Sequence, residues 1–379
     1  MSQATAPAPT EDATARLIRR LVPDTSVVRL FVLAVLVLIV FSVASADFLT
    51  LINFQSMGLQ VTEVGLLSLA IMVSMLTGGI DLSIVSIANV AALVTAQLFA
   101  HHGGDAAGAQ QTVLYVLAGV AAGTACGLLN GVLIAKLRIT PILATLGTMQ
   151  LLNGLAIAWT GGKAIYGMPE SFLNIGNGYV GSVPIPVLIL LGGAVLAAIF
   201  VNRTGRGLRI QLLGANQVAA KYSGLRNDRV LFATYLASAF LASLAGIVIA
   251  ARSASASADY GASYVLLAIV IVVLGGVNPL GGYGTVTGVV LAAFTLQMVN
   301  TGFNQVGFNA FLYQIAQGVI LIGVLGLNML SERYGWAPRL AWLTRWRARG
   351  EPGAPEPPSA LAPAAPPPDR EEDVRGRPV

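Results

Sequence analysis

Apolar residues run along this chain in long blocks, separated by shorter breaks that are polar or rich in glycine. The blocks fall at roughly 28–46, 55–76, 84–100, 112–135, 141–160, 183–201, 230–250, 263–275, 284–301 and 310–330. Most approach the ~20 residues a helix needs to cross the hydrocarbon core of a bilayer. The pattern predicts an all-α polytopic membrane protein with about ten transmembrane helices. One break stands apart: residues 205–229, GRGLRIQLLGANQVAAKYSGLRNDR, are polar and basic. Within it Asn216 suits a helix N-cap, because its side-chain oxygen can accept a first-turn N–H. Residues 217–223 continue as helix, and Gly224 supplies a left-handed stop. The predicted rod of 216–223 is about 12 Å long, too short to span a bilayer. Ala219 and Ala220 side by side predict a low surface that another protein can approach closely.

Charge then gives the topology. With the N-terminus inside, alternation puts Lys136, Arg138, the cations of the 203–229 loop, and Arg333, Arg339, Arg345 and Arg347 on the cytoplasmic side. Asp47, His101, His102, Asp105, Lys163, Glu170, Arg252 and Asp259 fall outside. The bias agrees with the positive-inside rule and predicts cytoplasmic N- and C-termini in a cell inner membrane. Residues 1–27 read as a cytoplasmic tail, 28–332 as the transmembrane domain, and 333–379 as an interfacial segment with Trp336, Trp342 and Trp346 followed by a disordered Pro/Ala-rich tail.

Composition supports the class: 55% of residues are hydrophobic and 10% charged, against about a quarter charged in soluble domains. The net charge of +5 belongs to membrane-flanking loops and does not imply nucleic acid. A single cysteine, Cys126, allows no intrachain disulfide. His101 and His102 are adjacent loop residues, and no Cys/His spacing suits a metal. There is no catalytic constellation. No phosphate-binding G-x-x-x-x-G-K-[ST] loop occurs, since Gly161-Gly162-Lys163 lacks the leading glycine, so ATP is not hydrolysed by this chain.

Acids inside the apolar blocks are costly and need partners. Asp81 follows Gly78 and Gly79 in TGGIDLS, a structural or pathway loop ending on Ser83, and is expected to cap the next helix, to border a pathway or partner contact, or both. Glu63 has no visible partner in sequence. Gly119, Gly123, Gly127 and Gly131 form a ladder on one helix face, which predicts close packing of a second helix. Residues 70–80 resemble 268–277, which hints at internal duplication.

These segments resemble a family. TGGIDLS at 77–83, LATLGTMQ at 143–150 with Gly161-Gly162 downstream, GANQVAAKYSG at 214–224 after Gly205-Arg206, and GGVNPLGGYGT at 275–285 are similar to the permease subunits of ribose-type bacterial ABC sugar importers. The likeness runs in matching order from about residue 50 to 330. It implies a permease homodimer in membrane lipid with a cytoplasmic ABC ATPase beneath it, which binds ATP and Mg, and a periplasmic or lipoprotein sugar-binding protein above it. This chain itself would hold no cofactor. The resemblance also implies that the 203–229 loop carries the coupling helix, with Gly214, Asn216, Ala219, Ala220 and Gly224 at the matching positions. A neutral, hydroxyl-rich substrate needs amide and hydroxyl partners, for which Asn130, Gln150, Asn153, Asn278, Asn300 and Asn304 are candidates. The outer loop 161–182, with Tyr166, Glu170, Phe172 and Asn174, is a candidate to receive the binding protein. The alternatives are a permease for branched-chain amino acids or nucleosides, which shares the architecture, and an ion-coupled secondary transporter, which should show buried paired acids.

Overall fold

The computed structural model describes residues 25–334. The expected tails, 1–27 and 333–379, lie outside the described residues except for a few positions at their inner ends. Among the described residues there are thirteen α-helices. They are α1 Thr25–Ala44, α2 Leu51–Met75, α3 Ile84–His101, α4 Ala109–Ala135, α5 Pro141–Thr160, α6 Glu170–Asn177 and α7 Ile185–Asn202. These are followed by α8 Gly205–Ala215, α9 Gln217–Tyr222, α10 Asn227–Ser253, α11 Tyr264–Leu274, α12 Val286–Gln305 and α13 Ala310–Tyr334. Strand pairing among them is limited to Tyr179–Val180 against Val183–Pro184 and a bridge between Ile165 and Ala256.

Each of the ten apolar blocks is helical, as the pattern predicts. Among the described residues, eight helices are long and apolar enough to cross a membrane: α1 to α5, α7, α10 and α12. Helix α11 has 11 residues, about 16 Å and so about half the hydrocarbon thickness. In α13 the described apolar stretch is Phe311–Ile320. The block at 263–275 reads as a span because it is wholly apolar, and only its length distinguishes it. Local chemistry sets several helix starts: the Thr50, Thr204 and Thr285 hydroxyls accept from the backbone N–H groups of Asn53, Gly207 and Gly288, each cap contributing about 1 kcal/mol.

Helix α2 lies at the centre. Every residue from Val61 to Met75 is buried, and the helix packs on α7, α10, α11 and α12. The glycine ladder does what its spacing predicts. A Cβ at Gly119 would lie 2.0 Å from Thr95 Oγ1 of α3, one at Gly123 2.3 Å from Ser243 Oγ of α10, and one at Gly127 2.4 Å from Ala239 Cβ of α10. The bare backbone of α4 is thus seated directly against small side chains and backbone of α3 and α10. Outward from this core, Leu114, Leu117, Leu155, Leu191 and Val195 are exposed, as lipid-facing residues should be.

Lys136, Arg206, Arg209, Arg226 and Arg229 line one pocket, so the loops that carry them share one end of the bundle, here called the basic end. At the other end α6 packs on the end of α10: a Cβ at Gly176 would lie 2.3 Å from Arg252 N, and Asn177 Nδ2 donates to Ala251 O at 3.0 Å.

The two similar segments also match in backbone. Gly78 donates to Met75 O and Gly276 to Val273 O, and both glycines are left-handed, at φ +80° and +83°. The chain at 76–83 then turns back into the bundle. Ser238, which donates to Asp81, lies 11 residues into α10, about 16 Å along that helix from its basic end. Non-helical backbone at such a depth is tolerated only when surrounded by protein, and Asp81 and Ser83 are fully buried.

Candidate functional site

The rod within 203–229 forms as expected. Asn216 takes an extended backbone, and its Oδ1 accepts from Val218 N at 3.0 Å and Ala219 N at 2.9 Å. The far end closes with Leu225 N donating to Ala220 O and Gly224 N to Lys221 O, around a left-handed Gly224 at φ +77°. That pair of bonds is a Schellman closure. Both ends are therefore satisfied locally, and α9 keeps its shape without neighbours on its outer face.

That face differs from the expected one. Ala219 is exposed, but Ala220 is buried in the core, so the two alanines do not form one surface. On a short helix adjacent residues point about 100° apart, and Ala220 is the one that faces the bundle. The exposed face is Ala219 with Val218 and Tyr222, 65% and 88% exposed. An exposed valine and tyrosine on a rod ringed by cations form a small apolar knob, which suits insertion into a partner's groove.

Beneath the rod, Gly214 at the end of α8 touches two other loops through their backbones. A Cβ there would lie 2.0 Å from Leu76 O and 2.5 Å from Gly282 N. Gly282 N also donates to Leu76 O at 3.0 Å. A Cβ at Gly281 would meet Gly78 N at 2.6 Å and Gly214 Cα at 3.0 Å. Three of the motifs quoted above, far apart in sequence, thus converge on one glycine junction: GANQVAAKYSG, TGGIDLS and GGVNPLGGYGT.

From the junction the TGGIDLS loop leads to a polar network. Asp81 Oδ1 accepts from Ser83 N at 3.0 Å and from Ser83 Oγ at 2.6 Å, while Oδ2 accepts from Ser238 Oγ at 3.0 Å. Asn130 Nδ2 donates to Ser83 Oγ at 2.7 Å and Thr148 Oγ1 donates to Asn130 Oδ1 at 2.6 Å. The expectation that Asp81 caps α3 is corrected here. Ser83 is the N-cap residue, and Asp81 binds its N–H in a turn preceding the helix. Gly79 lies against Tyr235 and Pro141 with no room for a Cβ, and the buried Tyr235 hydroxyl has no hydrogen-bond partner among the described residues.

The six amide candidates do not converge. Asn130 is fully buried and bonded through both amide atoms within the Asp81 network. Gln150 is exposed on α5, and Asn153 on the same helix is half-buried with its Oδ1 unpartnered among the described residues. Asn278 shapes its own loop by accepting from Leu280 N at 3.1 Å. Asn304 donates to Asn300 at 3.4 Å on α12. In the outer loop Phe172 is fully buried, 5.3 Å from the Phe99 ring, while Tyr166, Glu170 and Asn174 are exposed, Tyr166 at 67%.

A second polar set escapes these expectations except for Glu63. Arg252 Nε and Nη2 donate to the two oxygens of Glu63, and Tyr264 Oη donates to Glu63 Oε2 at 3.1 Å. One turn along α2, Gln60 Oε1 accepts from Gln297 Nε2 at 3.1 Å, and Gln297 also reaches Thr301. The readable signal is periodic. Ser56, Gln60 and Glu63 recur on one face of α2, and Gln297, Thr301 and Asn304 on one face of α12. A polar stripe in an apolar helix must face protein or water.

Comparison with known proteins bears directly on these motifs. The family described as "Branched-chain amino acid transport system / permease component" matches residues 53–325, which hold the junction, the network and α9. The chain belongs to this permease family. The ribose import permease protein RbsC of Bacillus subtilis (strain 168) is 33% identical over 299 residues, covering 78% of this chain and 89% of that protein. RbsC of Escherichia coli (strain K12) is 34% identical over 296 residues, covering 76% and 90%. The D-allose transport system permease protein AlsC of the same organism is 28% identical over 303 residues, covering 80% and 91%. No solved structure matches the chain. The permease is thus a multi-pass membrane subunit of the ABC importer class and not itself an enzyme, and the resemblance to ribose-type permeases carried by its four motifs holds.

Proposed function

We propose that this permease is the transmembrane subunit of an ATP-driven importer that moves a monosaccharide or related polyol across the inner membrane by alternating access. The sugar reading rests on the names of its relatives, which are ribose, allose and galactose permeases. On this reading the basic end is cytoplasmic, together with both termini, in keeping with the cation bias. A partner ATPase binds ATP and Mg, a secreted binding protein delivers the sugar at the opposite end, and a second copy of the permease completes the dimer. The polar faces of α2 and α12 offer amides and hydroxyls suited to a neutral polyhydroxyl solute.

The observation that carries the coupling role is the junction of Gly214, Gly78 and Gly281. Helix α9 projects an exposed Val218 and Tyr222 away from the bundle, while α8, which leads into it, is in backbone contact with both inward-turning loops. A displacement of the rod therefore reaches the membrane helices directly. Val218→Asp and Ala219→Trp should leave the bundle folded, since both residues are exposed. They should lower co-purification of the ATPase about tenfold or more, as expected for substitutions at a central contact. Undiminished co-purification would remove the docking role. Uptake of a panel of labelled pentoses, hexoses and polyols by the assembled complex identifies the substrate, and uptake driven by an ion gradient without nucleotide would overturn the ATP-driven reading.

A further inference from the structure

At the basic end, the terminus of α4, helix α8, the turn after α9 and the first turns of α10 enclose a pocket of about 780 Å³. Its rim carries five cations, Lys136, Arg206, Arg209, Arg226 and Arg229, against one carboxylate, Asp228. None of these six groups takes part in an ion pair among the described residues. Like charges gathered around a concave, low-dielectric wall raise the local potential and draw in an anion. The floor is apolar, formed by Leu225, Val230, Phe232 and Leu236.

The surroundings distinguish among anions. Helix α8 exposes Leu208 and Leu212, 59% and 48%, one turn apart beside Arg206 and Arg209. An apolar stripe next to cations is the pattern of a helix lying in the membrane interface. Leu137 is likewise exposed next to Lys136. The pocket therefore opens where acyl-facing side chains give way to cations, at the ends of two spanning helices. A free phosphate has no use for the apolar floor. An acidic protein loop would not require exposed leucines on both sides of the rim.

We propose that this pocket is a site for one anionic phospholipid. Its phosphodiester is held by the guanidinium groups of Arg206, Arg209, Arg226 and Arg229, and its glycerol and upper acyl carbons lie over Phe232 and Leu236. Guanidinium groups bind phosphate oxygens in pairs, and basic pockets between spanning helices bind lipid headgroups in this way. The inference is independent of which solute the permease carries.

The test uses the full chain in nanodiscs of phosphatidylcholine containing a small fraction of labelled phosphatidylglycerol, with retained label counted per chain. Arg206 and Arg229 are exposed, so the double variant Arg206→Gln/Arg229→Gln leaves the core intact. Arg203→Gln removes a cation from the same end outside the pocket. Retention should fall about fivefold per lost lining cation, about thirtyfold for the pair, and about twofold or less in Arg203→Gln. Inorganic phosphate and glycerophosphoglycerol, which lack the acyl chains, should fail to displace the label. Equal loss in both variants would reduce the pocket to diffuse surface charge and overturn the proposal. Displacement by inorganic phosphate would overturn the lipid assignment in favour of a soluble anion. Unchanged lipid retention with loss of ATPase binding in the double variant would assign the rim to a protein partner instead.

Discussion

Among the described residues Asp81 has no cation paired with it; hydroxyls and one backbone N–H supply its stabilisation. Removing the acceptor leaves the donors of Ser83 and Ser238 buried without partners, each such loss costing about 1–3 kcal/mol. Asp81→Ala should lower the unfolding temperature of the purified permease clearly. Asp81→Asn should cost less, because its oxygen still accepts from Ser83 and its amide can donate to Ser238 Oγ. Equal loss in the two variants would show that the charge, not the hydrogen bonding, matters there. The sequence announces that Asp81 and Glu63 need partners, since acids in apolar blocks are expensive. It does not say which partners: Arg252 lies 189 positions from Glu63, and Ser238 lies 157 from Asp81. Nothing local in the sequence encodes such pairings, which arise only when α2, α10 and α11 pack together.

Helices are read from sequence best where their ends carry their own chemistry. Asn216 and Gly224 bracket α9 as their side-chain and backbone preferences require. The orientation of α9 was not readable, because which of two neighbouring alanines faces inward depends on where α8 delivers the rod. The glycine ladder was readable for the opposite reason: a repeat of four residues fixes a face, and absence of side chains fixes what that face can do. Gly127→Val should prevent accumulation of folded permease, as overpacking at backbone contact cannot be relieved by a rotamer change. Gly147→Val, on α5 with nothing within 4 Å of its Cβ position, should accumulate normally. Comparable loss of both variants, measured as monodisperse protein after extraction, would count against the ladder as a helix–helix seam. The residues of α11 are as apolar as those of a crossing helix, so only its length of 11 residues sets it apart.

For the molecule as a whole, five cations of the bias read from the sequence gather around one pocket, and the proposed topology puts that end in the cytoplasm under the positive-inside rule. Cys126 is the single native cysteine, so a Cys126→Ser background allows one reporter thiol at a time. Tyr222→Cys should react with an impermeant maleimide only in inverted vesicles, and Tyr166→Cys only in right-side-out ones; both positions are well exposed. The reverse pattern would invert the topology. A wider consequence follows from the contact of Gly214 with Leu76 and Gly282. Where two backbones touch, no methyl group is left to compress and no rotamer to turn, so slack between the outer rod and the buried loops is close to nil. Such a linkage trades tolerance for fidelity: one added carbon at Gly214 has to push the rod away from the buried loops, and the two ends then no longer keep time.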